Sequence, residues 1–136
     1  MLQKNGRASN ARIARSIGVS EGTVRRRLKI LVDDEIIQVV AMPNPEKMGY
    51  RCEAIIGVQA DPDKMDPVAE QLARLEEVQF VTMTTGTYDI FTWVTCPSSD
   101  DLGIFLRTKV GTIPGVRRTE TFINLAFKKR SYGPPL

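Results

Sequence analysis

Two prolines within three residues, Pro43-Asn44-Pro45, most constrain how this chain of 136 residues can fold. Each proline fixes its own φ, has no N–H to donate and holds the residue before it extended. Neither a helix nor a central strand crosses such a stretch. The chain is therefore read as two modules, residues 1–45 and residues 46–136, with Lys47-Met48-Gly49-Tyr50 completing the connection. A composition of 42% hydrophobic and 26% charged residues suits folded modules rather than a disordered chain. No apolar run approaches the roughly 20 residues that span a bilayer. The start, Met1-Leu2-Gln3-Lys4-Asn5-Gly6, lacks the apolar core of a signal peptide. A cytoplasmic protein without a membrane partner is expected.

Charge separates the modules further. Residues 1–32 carry eight basic side chains (Lys4, Arg7, Arg12, Arg15, Arg25, Arg26, Arg27 and Lys29) against one acid, Glu21. The rest of the chain holds eleven basic and fifteen acidic groups. A basic module joined to a mildly acidic one suggests phosphate attraction for the first and another task for the second. Histidine is absent, which removes the commonest general base, metal ligand and haem ligand together. Cys52 and Cys96 are too few for a disulfide framework or a tetrahedral zinc site and read as small core residues. No catalytic residue, metal or cofactor is expected.

The first module reads as short helices. Ser9 can cap a helix with Ile13, Ala14 and Ile17 on its apolar side, ended by Gly18. Val19 leads to Ser20, a second N-cap, with Glu21 placed well for the helix dipole. Val24, Leu28 and Leu31 then fall at i, i+4 and i+7, giving one apolar stripe. Two short helices joined by a tight glycine turn make a helix-turn-helix. Opposite the stripe lie Gly22, Arg26 and Lys29, with Thr23 and Ile30 beside them and Arg25 and Arg27 on the flanks. Small residues near the N-terminus allow close approach, and arginines reach base edges or phosphates. Ser20, Gly22, Thr23, Arg25, Arg26, Arg27 and Lys29 are the candidate contacts to double-stranded DNA; the alternative is a solvated, arginine-rich surface. The β-branched run Ile36-Ile37-Gln38-Val39-Val40 reads as a strand.

The second module alternates. Arg51–Ala60 reads as a strand. A helix starting at Asp66-Pro67 carries Val68, Ala69, Leu72 and Leu75. Val78–Thr85 is a strand, Gly86-Thr87-Tyr88-Asp89 a turn, and Ile90–Thr95 a strand ended by Cys96-Pro97. Ser98 or Ser99 caps a helix containing Leu102, Phe105, Leu106 and Val110. After Pro114-Gly115, Val116–Phe127 is the last strand, with Ile123, Leu125 and Phe127 on one face and Val116, Phe122 and Ala126 on the other. The order β-α-β-β-α-β is the ferredoxin-like arrangement, an antiparallel sheet with both helices on one face. The fold class is α+β: an N-terminal (winged) helix-turn-helix followed by a ferredoxin-like module. No helix remains for the second sheet face although its residues are apolar, so a second copy of the chain is expected there, sheet against sheet.

Gly6-Arg7-Ala8-Ser9-Asn10, Ile13-Ala14, Gly18-Val19-Ser20 and Thr23-Val24-Arg25-Arg26-Arg27-Leu28 stand in the first module, and Gly86-Thr87-Tyr88-Asp89, Pro114-Gly115-Val116 and Thr119-Glu120-Thr121 in the second. In their order and spacing they resemble the Lrp/AsnC family of bacterial and archaeal transcription regulators. The resemblance implies a DNA-binding helix-turn-helix, with the helix from Glu21 to Val32 as reader, and a C-terminal module that senses a small molecule, commonly an amino acid. It implies dimers, often assembled further into tetramers or octamers. By position, Gly86, Thr87, Tyr88 and Asp89, with Thr119 and Thr121, become the candidate effector site. Gly86 lets the backbone come close, Asp89 can pair with an ammonium, and the threonines can hydrogen-bond a polar group. The plainer alternative is a hairpin glycine, a turn-tying aspartate and two good strand formers.

The chain departs from the family pattern twice. A complete helix normally precedes the stretch matching Gly6, where only Met1–Asn5 stand here; a missing upstream segment or a truncated regulator would both fit. The position of Glu35 is usually glycine, ending the reading helix in a left-handed turn. Two rivals to the regulator follow: a stand-alone sensing and oligomerisation subunit without DNA binding, and an enzyme resembling sirohaem decarboxylases. The lack of histidine argues against the second rival.

Overall fold

The computed structural model describes residues 1–130 as two compact units, Met1–Pro43 and the remainder from Asn44. In the first unit, α1 (Asn10–Ile17) begins at Ser9, whose hydroxyl accepts the Arg12 N–H, and closes on Gly18 at φ 70°. α2 (Glu21–Asp33) begins at Ser20, whose hydroxyl accepts the Thr23 N–H. The apolar stripes then do what their spacing dictates, with Ala14 and Val24 buried where the two helices meet.

One expectation for this unit fails. Ile36–Val40 forms no strand. A strand needs a partner, and none pairs with this run among the described residues. The N–H groups of Ile36 and Ile37 both turn back to the Leu31 carbonyl, at 2.9 and 3.1 Å, continuing the helix end instead. Between Asp34 and these residues, Glu35 adopts φ 55°, the left-handed conformation that a glycine would take without cost.

The second unit is a four-stranded antiparallel sheet in the order β2-β3-β1-β4, formed by β1 (Cys52–Ala60), β2 (Val78–Met83), β3 (Ile90–Cys96) and β4 (Val116–Ile123). α3 (Met65–Ala73) follows β1. α4 (Ser99–Phe105), capped by Ser98, follows β3 and runs on as a π-helical turn over Leu106–Val110. Alternate residues of the two central strands, Ala54, Ile56 and Val58 of β1 and Ile90 and Val94 of β3, meet Val68 and Leu72 of α3 and Leu102 and Phe105 of α4 in one dry core. Truncating one of these large side chains typically costs about 2–5 kcal/mol.

The other sheet face carries Ile55, Phe91, Trp93, Phe80 and Phe122, with Phe80 60% and Phe122 43% exposed. The last strand departs from the sequence reading twice. It ends at Ile123 rather than Phe127, leaving Leu125 96% exposed. A register shift between Gln59 and Ala60 also breaks its alternation, because a bulge moves one residue to the other face. Val116 therefore packs on the core while Phe122 lies on the open face. Ile123, opposite Ala54, stays on the helix side, whereas Phe127 has crossed over and stacks on Trp93 with ring centres 5.6 Å apart. Arg130 lies over Phe127 at 4.0 Å and pairs with both Glu53 oxygens, one of which also accepts the Trp93 indole N–H.

Candidate nucleic-acid interface and effector turn

Capping fixes what α2 can present. The Ser20 hydroxyl accepts the Thr23 N–H at 3.1 Å and shares a hydrogen bond with the Thr23 hydroxyl at 2.9 Å, so both act first as the start of the helix. Beyond them Gly22, Arg25, Arg26, Arg27 and Lys29 are all exposed. Arg25 lies 3.5 Å from Glu21, and Lys29 pairs with Asp33, each one helical turn away. Exposed pairs of this kind are worth only about 0.3–0.5 kcal/mol and yield readily to a stronger anion. Arg26 and Arg27 make no ion pair or hydrogen bond among the described residues. The helix thus offers a small residue at its entry and two unengaged guanidiniums, groups shaped for bidentate contact with phosphate or with a guanine edge.

The turn between β2 and β3 is tied from several sides. The Thr84 N–H donates to the Asp89 carbonyl at 2.8 Å, and the Thr84 hydroxyl to the Tyr88 carbonyl at 2.9 Å. The Asp89 N–H donates to the Val58 carbonyl, and Asp89 Oδ2 accepts the Ala60 N–H at 2.9 Å. Gln59 Nε2 donates to the Thr87 carbonyl at 2.8 Å. Gly86 sits at φ 107°, a conformation that side chains rarely adopt. The Tyr88 ring lies flat over Gly57, where a Cβ would stand 2.7 Å from the ring, and meets the edges of Phe91 and Phe122 at 5.4 and 6.2 Å. Asp89 therefore anchors the turn through one oxygen, while Oδ1 makes no hydrogen bond among the described residues.

Thr119 and Thr121 stand apart from this turn. They lie opposite Val58 and Ile56, on the helix side of β4, whereas Tyr88 covers the open side, and β1 separates β4 from β3. Their hydroxyls make no hydrogen bond among the described residues. Within one chain the structure gathers Gly86, Thr87, Tyr88 and Asp89 but does not bring the two threonines to them. Gln59, Gly57 and Thr84 complete the turn and were not singled out from the sequence. Gln59 and Gly57 reach it through strand register, for which spacing carries no signal.

An exposed basic helix-turn-helix, followed by a βαββαβ module bearing a rigidly tied turn, defines a helix-turn-helix transcriptional regulator with a ligand-binding module. The chain belongs to the Lrp/AsnC family: residues 53–134 match the Lrp/AsnC ligand binding domain, and residues 1–38 match a winged helix-turn-helix DNA-binding family. It is 45% identical over 132 residues to an uncharacterised HTH-type transcriptional regulator of Pyrococcus furiosus, covering 96% of this chain and 89% of the relative. It is 35% identical to the HTH-type transcriptional regulator FL11 of Pyrococcus abyssi, covering 100% of this chain and 90% of that one. Among solved structures, E. coli AsnC superimposes with a TM-score of 0.91 at 31% identity, covering 98% of this chain and 91% of that chain. A Neisseria meningitidis regulator in complex with L-Met superimposes with a TM-score of 0.92 at 25% identity, covering 98% and 89%. No helix among the described residues is long and apolar enough to cross a membrane.

Proposed function

We propose that this regulator reads double-stranded DNA with α2, as a homodimer, and that an amino acid bound at the Gly86–Asp89 turn modulates it. The observation that carries the reading is the exposed face of α2, where Arg26 and Arg27 pair with no anion among the described residues. Gly22, Thr23 and Ser20 bring the helix N-terminus close to a backbone phosphate, Arg26 reaches into the major groove, and Arg25, Arg27 and Lys29 neutralise flanking phosphates. Reading DNA sets its work in the cytoplasm.

The effector reading rests on Asp89 Oδ1, which has no partner among the described residues, on Gly86 at φ 107° and on the similar N. meningitidis regulator solved with L-Met. Asp89 takes the ammonium and the turn backbone takes the carboxylate. Thr119 and Thr121, on the opposite sheet face, reach the same ligand only from a neighbouring copy, which fits assembly beyond the dimer into tetramers or octamers.

The test begins with duplex fragments selected from a random pool by the full chain. Against the selected site, Arg26→Ala is expected to weaken binding about tenfold or more and to relax the preference at one base pair. Thermal shift across the twenty amino acids is expected to find a stabilising ligand whose effect Asp89→Asn abolishes. Unchanged affinity and selectivity in the Arg26 variant would remove α2 from the groove; no stabilising amino acid at saturation would remove the effector from the turn.

A further inference from the structure

Cys52 opens β1 and Cys96 closes β3, and the register sets their Cα atoms directly opposite each other. The Glu53 carbonyl accepts the Asn124 N–H, just past β4, and the Thr95 N–H donates to the Glu77 carbonyl. The backbone groups of residues 53 and 95 therefore face outward, and Cys52 and Cys96 are a hydrogen-bonded pair of the β1–β3 ladder. Opposed Cα atoms of such a pair stand about 5.5 Å apart, with both side chains on the same face of the sheet. A disulfide spans Cα separations of about 4.4–6.8 Å, most often about 5.5–6 Å, so the strand register holds the two cysteines within bridging range. Both side chains share the core face with Ala54 and Val94; Cys52 is 6% and Cys96 1% exposed, and both are free thiols. Burial pushes the Cys96 thiol up to about 11, and Cys52 is the next cause of that rise, which sets the two groups within electrostatic reach.

We propose that Cys52 and Cys96 form a reversible dithiol–disulfide site, closed by exchange with a small disulfide of the glutathione class. Cys52, at the strand start and the less deeply buried of the two, attacks one sulfur of the oxidant as its thiolate. A mixed disulfide forms and one glutathione thiolate leaves. Cys96 then attacks the Cys52 sulfur, the protein disulfide forms, and the second glutathione leaves. The two protein thiols are oxidised to one disulfide and the oxidant is reduced to two thiols, which take up the two protons released. Closure is slow, because both thiols are held in their protonated form and little of either is exposed. The loop it closes contains α3, β2, the Gly86–Asp89 turn and most of β1 and β3. Oxidation thus fastens the part of the module that carries the candidate effector turn, at the point where the chain enters the sheet from the linker.

The full-length chain is equilibrated in buffers of reduced and oxidised glutathione over a range of ratios. One series starts from the folded protein and a second refolds it from denaturant, and both are quenched with acid for intact mass and peptide mapping. The expected result is the loss of two hydrogens, one cross-linked peptide pair joining Cys52 to Cys96, and a rise in Tm of about 10 °C or more. Cys52→Ser and Cys96→Ser lose the cross-link and the Tm rise. The mass and peptide map of the unsubstituted chain decide the question without those variants. Two free thiols at the most oxidising ratio in both series would overturn the proposal, as would only glutathione adducts or only links between chains.

Discussion

Glu35 holds the one positive φ outside glycine among the described residues, at the point where α2 gives way to the linker. A side chain there crowds its own backbone at a cost of roughly 1–2 kcal/mol, which glycine avoids. Glu35→Gly is therefore expected to stabilise the helix-turn-helix unit by about 1 kcal/mol, whereas Glu35→Ala is expected to gain nothing from relief of strain. Calorimetric melting of the two variants against the parent separates these outcomes. Glu35 was legible in the sequence as an odd residue at a glycine position. Gly57 was not: it looks like any glycine within a strand, and its necessity comes from the Tyr88 ring, delivered from a turn about thirty residues on.

At the scale of elements, local chemistry and long-range pairing divide what could be read. The helix starts at Ser9 and Ser20 were legible, and the third was narrowed to Ser98 or Ser99, because an N-cap and an apolar stripe are both written within a few neighbouring residues. Ile36–Val40 misled because β-branched side chains favour a strand only when a second strand pairs with it. The faces of β4 misled because the bulge at Gln59/Ala60 belongs to the pairing of two strands and leaves no mark on either one. The candidate site divides in the same way. The α2 face could be read from helical period alone, whereas the separation of Thr119 and Thr121 from the turn follows from strand order.

The join between α3 and β2 adds a pH-dependent contact. Burial alone would raise the Glu77 carboxyl, but the hydrogen bond from Lys109 and one from its own backbone more than offset this and hold it below 4.5. A carboxyl lowered on folding contributes stability above the unfolded value, and that contribution fades as pH falls through the folded one. Glu77→Gln should thus cost about 0.5 kcal/mol at neutral pH, a small figure because the pair is partly solvated, and less at pH 3. Urea melts at the two pH values check this.

For the whole molecule, the proposed dimer turns on the open sheet face. Phe80 and Phe122 are too large and too exposed for a face that meets only water, and the tail residues Phe127 and Arg130 cover the Trp93 end of it. The double variant Phe80→Glu/Phe122→Glu is expected to turn the proposed dimer into a monomer in light scattering, with the helical content of each protomer kept. A particle of unchanged mass would place self-association elsewhere.

The chain has a single tryptophan, and it is Trp93, set between the Glu53 carboxylate and the Phe127 ring on that face. Its emission is therefore a built-in gauge of solvent at the sheet. Apposition of another protein surface dries the indole and moves the emission to the blue, while release of the Phe127 lid wets it and moves the emission to the red. Assembly and tail movement can then be followed in dilute solution without attaching a dye.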